Sequence, residues 1–215
     1  MRKYIYSIFL LGLFSCQEEG VVQYTQEKDG LQFSANSSED MTKVFNFATA
    51  TYEEEINGEP KTFYYGDSLA AYTFERVVLD LQGFPTPDER EYKLKTVLVE
   101  DQDSSKVAEV VFEPYYSLAP NQLKDTIKIT VLRPKTRGTY TVGITVDTEG
   151  KGAFFDKGVV EKSILRLDIK DVYEQPEGWD ERQEWLGEFD EEKYAFMVTV
   201  SKQAFSKENN HMWNE

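Results

Sequence analysis

The chain has 215 residues, and its 24 basic and 39 acidic side chains leave a net charge of −15. That length supports one ordinary domain with an appendage, able to bury a core without disulfides or metal, and its acidity argues against nucleic acid or a polybasic grip on anionic lipid. One cysteine, Cys16, and one histidine, His211, leave a Ser-His-Asp triad, a Cys-His dyad in the body and a multi-ligand zinc site short of parts.

Met1-Arg2-Lys3 is a short cationic start, and Tyr4 to Phe14 is an almost unbroken apolar run. At about eleven residues it is too short for a hydrocarbon layer that needs ~20, so it reads as the apolar stretch of an export signal over residues 1–15. Its end, Leu13-Phe14-Ser15-Cys16, resembles the bacterial lipobox, with an aliphatic residue three before the cysteine and a small one just before it. The resemblance implies cleavage ahead of Cys16 and acylation of its thiol and amine, chemistry that needs a thiolate. Several acyl chains, at ~0.8 kcal/mol per buried CH₂, make a durable membrane anchor. Gln17-Glu18-Glu19 resembles the surface-export signal of Bacteroidota lipoproteins, which implies the outer face of the outer membrane. Residues 16–24 read as an acidic tether in either case; the alternative is that they are only a tether, on a protein facing the periplasm.

From about residue 22 to 170 apolar side chains alternate with polar ones, the mark of half-buried strands. Strands are expected near Leu31–Ala35, Val44–Tyr52 and Thr62–Tyr65. Further sets are Val77, Leu79 and Leu81; Tyr92, Leu94 and Leu98; Val107 and Val111; Ile127, Ile129 and Val131; Tyr140, Val142, Ile144 and Val146; and Leu165, Leu167 and Ile169. Turn clusters separate them, such as Asn57-Gly58-Glu59-Pro60 and Asp101-Gln102-Asp103-Ser104-Ser105. Short strands without intervening helices predict an antiparallel β-sandwich over residues 25–172. The run Glu53-Glu54-Glu55 reads as a charged edge that discourages strand addition.

Residues 173–215 change character. Pro176-Glu177-Gly178-Trp179 breaks the strand pattern, and Asp180 to Leu186 is helix-compatible with acids in its first turn. From Glu191 to Val200 the alternation of Tyr194, Phe196, Val198 and Val200 favours an extended start with helix afterwards. Trp179 and Trp185 are expected to pin this extension to the sandwich. Met212 and Trp213 stand almost at the end, where a polar frayed terminus is usual, so we expect the protein to continue beyond Glu215.

These pieces line up with a family. The lipobox, Val78-Leu79-Asp80-Leu81-Gln82-Gly83, Pro87 to Leu94, Pro176-Glu177-Gly178-Trp179, Leu186-Gly187-Glu188-Phe189 and Lys193-Tyr194-Ala195-Phe196 together resemble a Bacteroidota lipoprotein family known only as a domain of unknown function (number 4843). The resemblance implies an immunoglobulin-like or Calx-beta-like sandwich with a partly helical C-terminal extension. It also implies encoding beside a TonB-dependent transporter (SusC-like) and its lidding lipoprotein (SusD-like), and no assigned activity.

Candidate chemistry is thin. A glycosidase needs two carboxylates ~5–10 Å apart, one with a raised pKa, but 39 acids put some pair in range in any fold. Asp101 and Asp103 offer oxygens to Ca²⁺, yet the later glycine and glutamate of an EF-hand loop are missing, so no metal or other cofactor is expected. Aromatic residues make up 14% of the chain, and exposed Tyr and Trp are the usual platforms for sugar rings. Tyr64-Tyr65, Tyr115-Tyr116 and Phe154-Phe155 flank turns, and in a strand each pair points to opposite faces. Tyr65, Tyr115, Tyr116 and Trp179 are therefore the candidate ligand-binding residues. The functional expectation is a non-catalytic, lipid-anchored surface protein that binds a glycan or peptide nutrient or docks on the SusC/SusD-like transporter. A carboxylate-dependent hydrolase and a structural spacer are the alternatives.

Overall fold

Alternation with period two puts every second side chain on a buried face, and the strands it generates stack as two sheets around a shared core. The computed structural model describes residues 28–35, 41–149 and 153–202. Its strands are β1 (Gly30–Phe33), β2 (Thr42–Asn46), β3 (Thr51–Ile56), β4 (Glu59–Tyr64), β5 (Ala71–Gln82), β6 (Arg90–Tyr92), β7 (Leu94–Val97), β8 (Val110–Val111), β9 (Tyr116–Leu118), β10 (Lys124–Leu132), β11 (Gly138–Val146), β12 (Asp156–Lys157) and β13 (Ile164–Asp171). One sheet has the order β12-β1-β5-β10-β8 and the other β2-β13-β11-β7; β3-β4 and β6-β9 pair separately. The protein is a mainly β sandwich with short C-terminal helices. Most pairs are antiparallel, but β12 and β2 join their sheets in parallel at the margins. Each is far in sequence from its partner, so no hairpin dictates its direction.

Leu31, Phe33, Val77, Leu79, Leu81, Ile127, Ile129 and Val131 face Leu94, Val142, Ile144, Val146, Leu165, Leu167 and Ile169 across one buried core. β5 changes phase midway: Ile127 pairs with Val77 but Ile129 with Phe74, so Glu75 and Arg76 together oppose Lys128. This bulge lets Tyr72 and Phe74 pack on the same core as Val77 and Leu79 despite the odd spacing. Tyr72 then stacks on Phe45 with ring centroids 3.6 Å apart.

Three expected core positions are corrected. Leu98, Val107 and Val111 are exposed, while Ala108 is buried and Val110 half-buried against the core. β7 ends at Val97, and Asp101 with a φ of 62° turns the chain away and resets its phase. Gln102 fixes that turn by accepting from the Val99 N–H and donating to the Thr141 carbonyl. On β11, Thr141, Gly143 and Thr145 are buried as well as their inward neighbours. Side chains of Val97, Val99 and Ile164 close over Gly143, where a Cβ would lie 2.7–2.9 Å from their methyl groups.

The C-terminal segment carries α1 (Gln183–Leu186) and α2 (Glu191–Ser201). α2 is helical from its first residue, which corrects the expected extended start. Asp190 caps it by accepting from the Lys193 N–H at 2.8 Å, with Glu191 and Glu192 in the first turn. Tyr194 and Val198, four apart, are buried; Phe196 and Val200 are exposed. The apparent alternation therefore has no structural counterpart: the helical period decides which side chains face inward. Among the described residues no helix is long and apolar enough to cross a membrane.

Candidate ligand groove

A second buried cluster, formed by Ala48, Tyr173, Trp179, Tyr194 and Val198, seats α2 against the sandwich. Trp179 is fully buried and donates from Nε1 to the Gly187 carbonyl at 3.1 Å. Its ring meets Phe189 and Tyr194 edge-on at 5.3 and 5.7 Å. The Lys193 ammonium lies 5.4 Å from the same ring and donates to the carbonyls of Leu186 and Glu188. Gly187, at a φ of 71°, makes the reversal that brings its carbonyl to the indole N–H. Trp179 thus pins the extension as expected but, being enclosed, offers no face to a ligand. Trp185 is 86% exposed and pins nothing.

The turn Gly66–Ser68 is held from below by Arg133. Its guanidinium forks onto Asp171 with two 2.9 Å bonds and also donates to the Gly66 carbonyl and the Asp67 carboxylate. Asp171 is buried, so this bidentate pair replaces the water it has lost. Asp171 first, and Asp67 beside it, hold the Arg133 guanidinium still more firmly protonated than usual. Arg137 bridges the same two carboxylates at 3.3 Å and lies 5.0 Å over the Tyr173 ring. The Tyr64 hydroxyl donates to the Ala48 carbonyl at 2.8 Å and sits 2.7 Å from the Tyr173 hydroxyl. Burial, reinforced by that tyrosine partner, raises the Tyr64 pKa well above its ordinary value.

Between this turn and α2 lies an open groove of about 690 Å³. Tyr64, Tyr65, Asp67, Ser68, Arg137 and Tyr173 form one side, and Glu191, Glu192, Ala195, Thr199 and Lys202 the other. Its size matches small-ligand sites, and its lining mixes tyrosines with both signs of charge. Tyr65 is the single sequence-nominated residue brought into it. Tyr115 is exposed elsewhere, at 56%. Tyr116 is corrected: it is buried, stacked 5.6 Å from Tyr92, because β9 pairs with β6 and turns that ring inward. Arg137 and Tyr173 carry no local mark in the sequence, whereas the first turn of α2 is marked by the capping pattern Asp190-Glu191-Glu192. Leu13, Phe14, Ser15, Cys16, Gln17, Glu18 and Glu19 lie outside the described residues.

The Asp101–Ser105 turn satisfies itself. The Asp103 carboxylate accepts from the Ser105 N–H and hydroxyl at 2.9 and 2.6 Å, and those bonds lower its pKa. Among the described residues no three His, Cys, Asp or Glu side chains gather as a metal site.

A two-sheet sandwich whose helical extension walls an open, mixed-charge groove defines a scaffold with a ligand-accessible cleft. The chain belongs to the family described as domain of unknown function (DUF4843), which matches residues 67–203. Among solved structures it is similar to the apo-form Calx CBD1 domain at 12% identity and a TM-score of 0.38, covering 67% of this chain and 98% of that one. It is also similar to Bacteroides thetaiotamicron EndoBT-3987 with Man5GlcNAc product (11% identity, TM-score 0.37), covering 66% of this chain and 30% of that one. The Calx CBD2 domain is a third, at 10% identity and a TM-score of 0.29, covering 76% and 99%. No curated protein matches the chain.

Proposed function

We propose that this chain is a lipid-anchored accessory protein of the cell surface, tethered through Cys16, which binds a nutrient or docks on an outer-membrane TonB-dependent uptake complex and breaks no bonds itself. The lipobox-like Leu13-Phe14-Ser15-Cys16 and the acidic Gln17-Glu18-Glu19 support the tether and the outward location. The groove beneath α2 carries the binding role. It is open, it gathers tyrosines and charged groups together, and its neighbouring Asp67 and Asp171 carboxylates are both paired with guanidiniums, whereas a bond-breaking acid pair keeps one carboxyl in apolar surroundings.

Three measurements test the reading. The Cys16→Ala chain is expected to leave the detergent phase and lose its acyl mass, while continued partition would overturn the anchor. Protease added to intact cells is expected to remove the native protein; complete protection would move it to the periplasmic side. Pull-down from solubilised outer membrane is expected to recover transporter components or a bound nutrient, and an empty eluate would reduce the protein to a spacer.

A further inference from the structure

The β3-β4 hairpin carries a feature that the groove does not exhaust. Its register sets Tyr52 directly opposite Phe63, and the two rings stack with centroids 5.6 Å apart. The ring of Tyr65 then lies 4.6 Å from Tyr52 while also lining the groove. Tyr52 is 38% exposed, and Phe63 and Tyr65 are half-buried against it. Continuing along the same face by the strand alternation come Glu54 and, opposite it, Lys61. Tyr64, which follows Phe63, turns to the other face and is consumed in its bonds to Ala48 and Tyr173. A strip therefore runs from polar groups on the hairpin, across three mutually supported rings, into the groove.

From this strip we infer a binding site for a linear, uncharged glycan, with Tyr52, Phe63 and Tyr65 as its stacking platform. The inference rests on the reading of the groove as a ligand site and names its ligand class. A pyranose ring has an apolar CH face that seats on an aromatic ring and a rim of hydroxyls that needs hydrogen-bonding groups alongside. Glu191, Glu192, Ser68 and Arg137 supply such groups at the groove end, and Glu54 and Lys61 supply them along the hairpin. Because the rings already pack on one another, little side-chain freedom is lost on binding. Charge selects among glycans. The groove holds Asp67, Glu191 and Glu192 against Arg137 and Lys202 in a chain of net charge −15, so a polyuronate is repelled.

The test titrates the intact lipidated chain, in detergent, with cello-, xylo-, malto- and chito-oligosaccharides, with polygalacturonate and with tryptic casein peptides, read by calorimetry. At least one neutral series is expected to saturate, and polygalacturonate is not. Tyr65→Ala and Tyr52→Ala are each expected to weaken that binding about tenfold or more, while Tyr115→Ala leaves it unchanged. Tyr65→Leu keeps the apolar bulk without the flat face, so it guards against simple misfolding and is expected to lose binding as Tyr65→Ala does. Binding by peptides alone, equal binding of polygalacturonate, silence across the neutral panel, or wild-type affinity in Tyr65→Leu would each overturn the inference. Recovery of transporter components by the Tyr65→Leu chain would leave the broader surface-accessory reading standing even then.

Discussion

The two buried clusters are built from different materials. The core between the sheets is dominated by aliphatic side chains such as Ile129, Val131, Ile144 and Leu167, whose attraction is set by area and has little sense of direction. The cluster under α2 is aromatic, and nearly every ring has a polar end tied down: Tyr64 to Ala48, Trp179 to Gly187, and Lys193 over the indole. The first arrangement makes a stable slab. The second places one helix, and with it one wall of the groove, at a defined angle. Stability and positioning are thus divided between two regions.

That division can be broken by substitution. Leu167→Ala, at a fully buried centre, should cost about 2–5 kcal/mol and lower the melting temperature of the whole sandwich in calorimetry. Trp179→Ala removes a larger side chain, but its global cost is capped by the free energy of undocking the extension. The expected outcome is cleavage between residues 174 and 202 under limited proteolysis with the β-sheet circular dichroism kept. Loss of both together would show that the clusters form one cooperative unit. Gly143→Ala should destabilise by about 1–3 kcal/mol through overpacking against Val97, Val99 and Ile164, with faster amide exchange over residues 98–107.

pH sharpens the same comparison, because each region holds a tyrosine with a raised pKa. Burial is the first cause in both; the Asp125 carboxylate, which accepts from the Tyr92 hydroxyl at 2.6 Å, adds to it for Tyr92, and the Tyr173 hydroxyl for Tyr64. The folded protein holds these protons more tightly than the unfolded chain, whose tyrosines ionise near pH ~10. Their contribution is therefore complete below pH ~10 and is lost as pH rises beyond it. Urea unfolding at rising alkaline pH should show that loss, and Tyr92→Phe and Tyr64→Phe should each flatten it. The smallest effect belongs to Phe196→Ser on the outward face of α2, expected within about 0.5 kcal/mol of wild type in the same assay.

The sandwich was readable because alternation reports directly on a two-sided slab: the sets on β10, β11 and β13 bury the residues that the pattern nominates, with Tyr140 half-buried at the edge of the core. It failed where the chain left the slab. Leu98 lies just past the end of β7, and Val107 and Val111 keep an alternating look although the Asp101 turn has already changed the phase. Phe196 and Val200 mimic a strand, and Asp190 as a cap outweighs that resemblance. The groove was scarcely visible. Arg137, Tyr173 and Glu191 come from segments far apart in sequence, and such convergence leaves no local pattern; the pairing of Tyr52 with Phe63 follows from register alone.

The hairpin tip has a practical value. Asn57 and Gly58 turn it with φ angles of 57° and 82°, and no atom lies within 4 Å of where a Gly58 side chain would begin. Exposed tips of this kind accept inserted sequence readily. A small fluorescent tag grafted there would sit at the end of the two-stranded arm, just beyond Glu54 and Lys61, and would report the arrival of a ligand or partner through its changed surroundings.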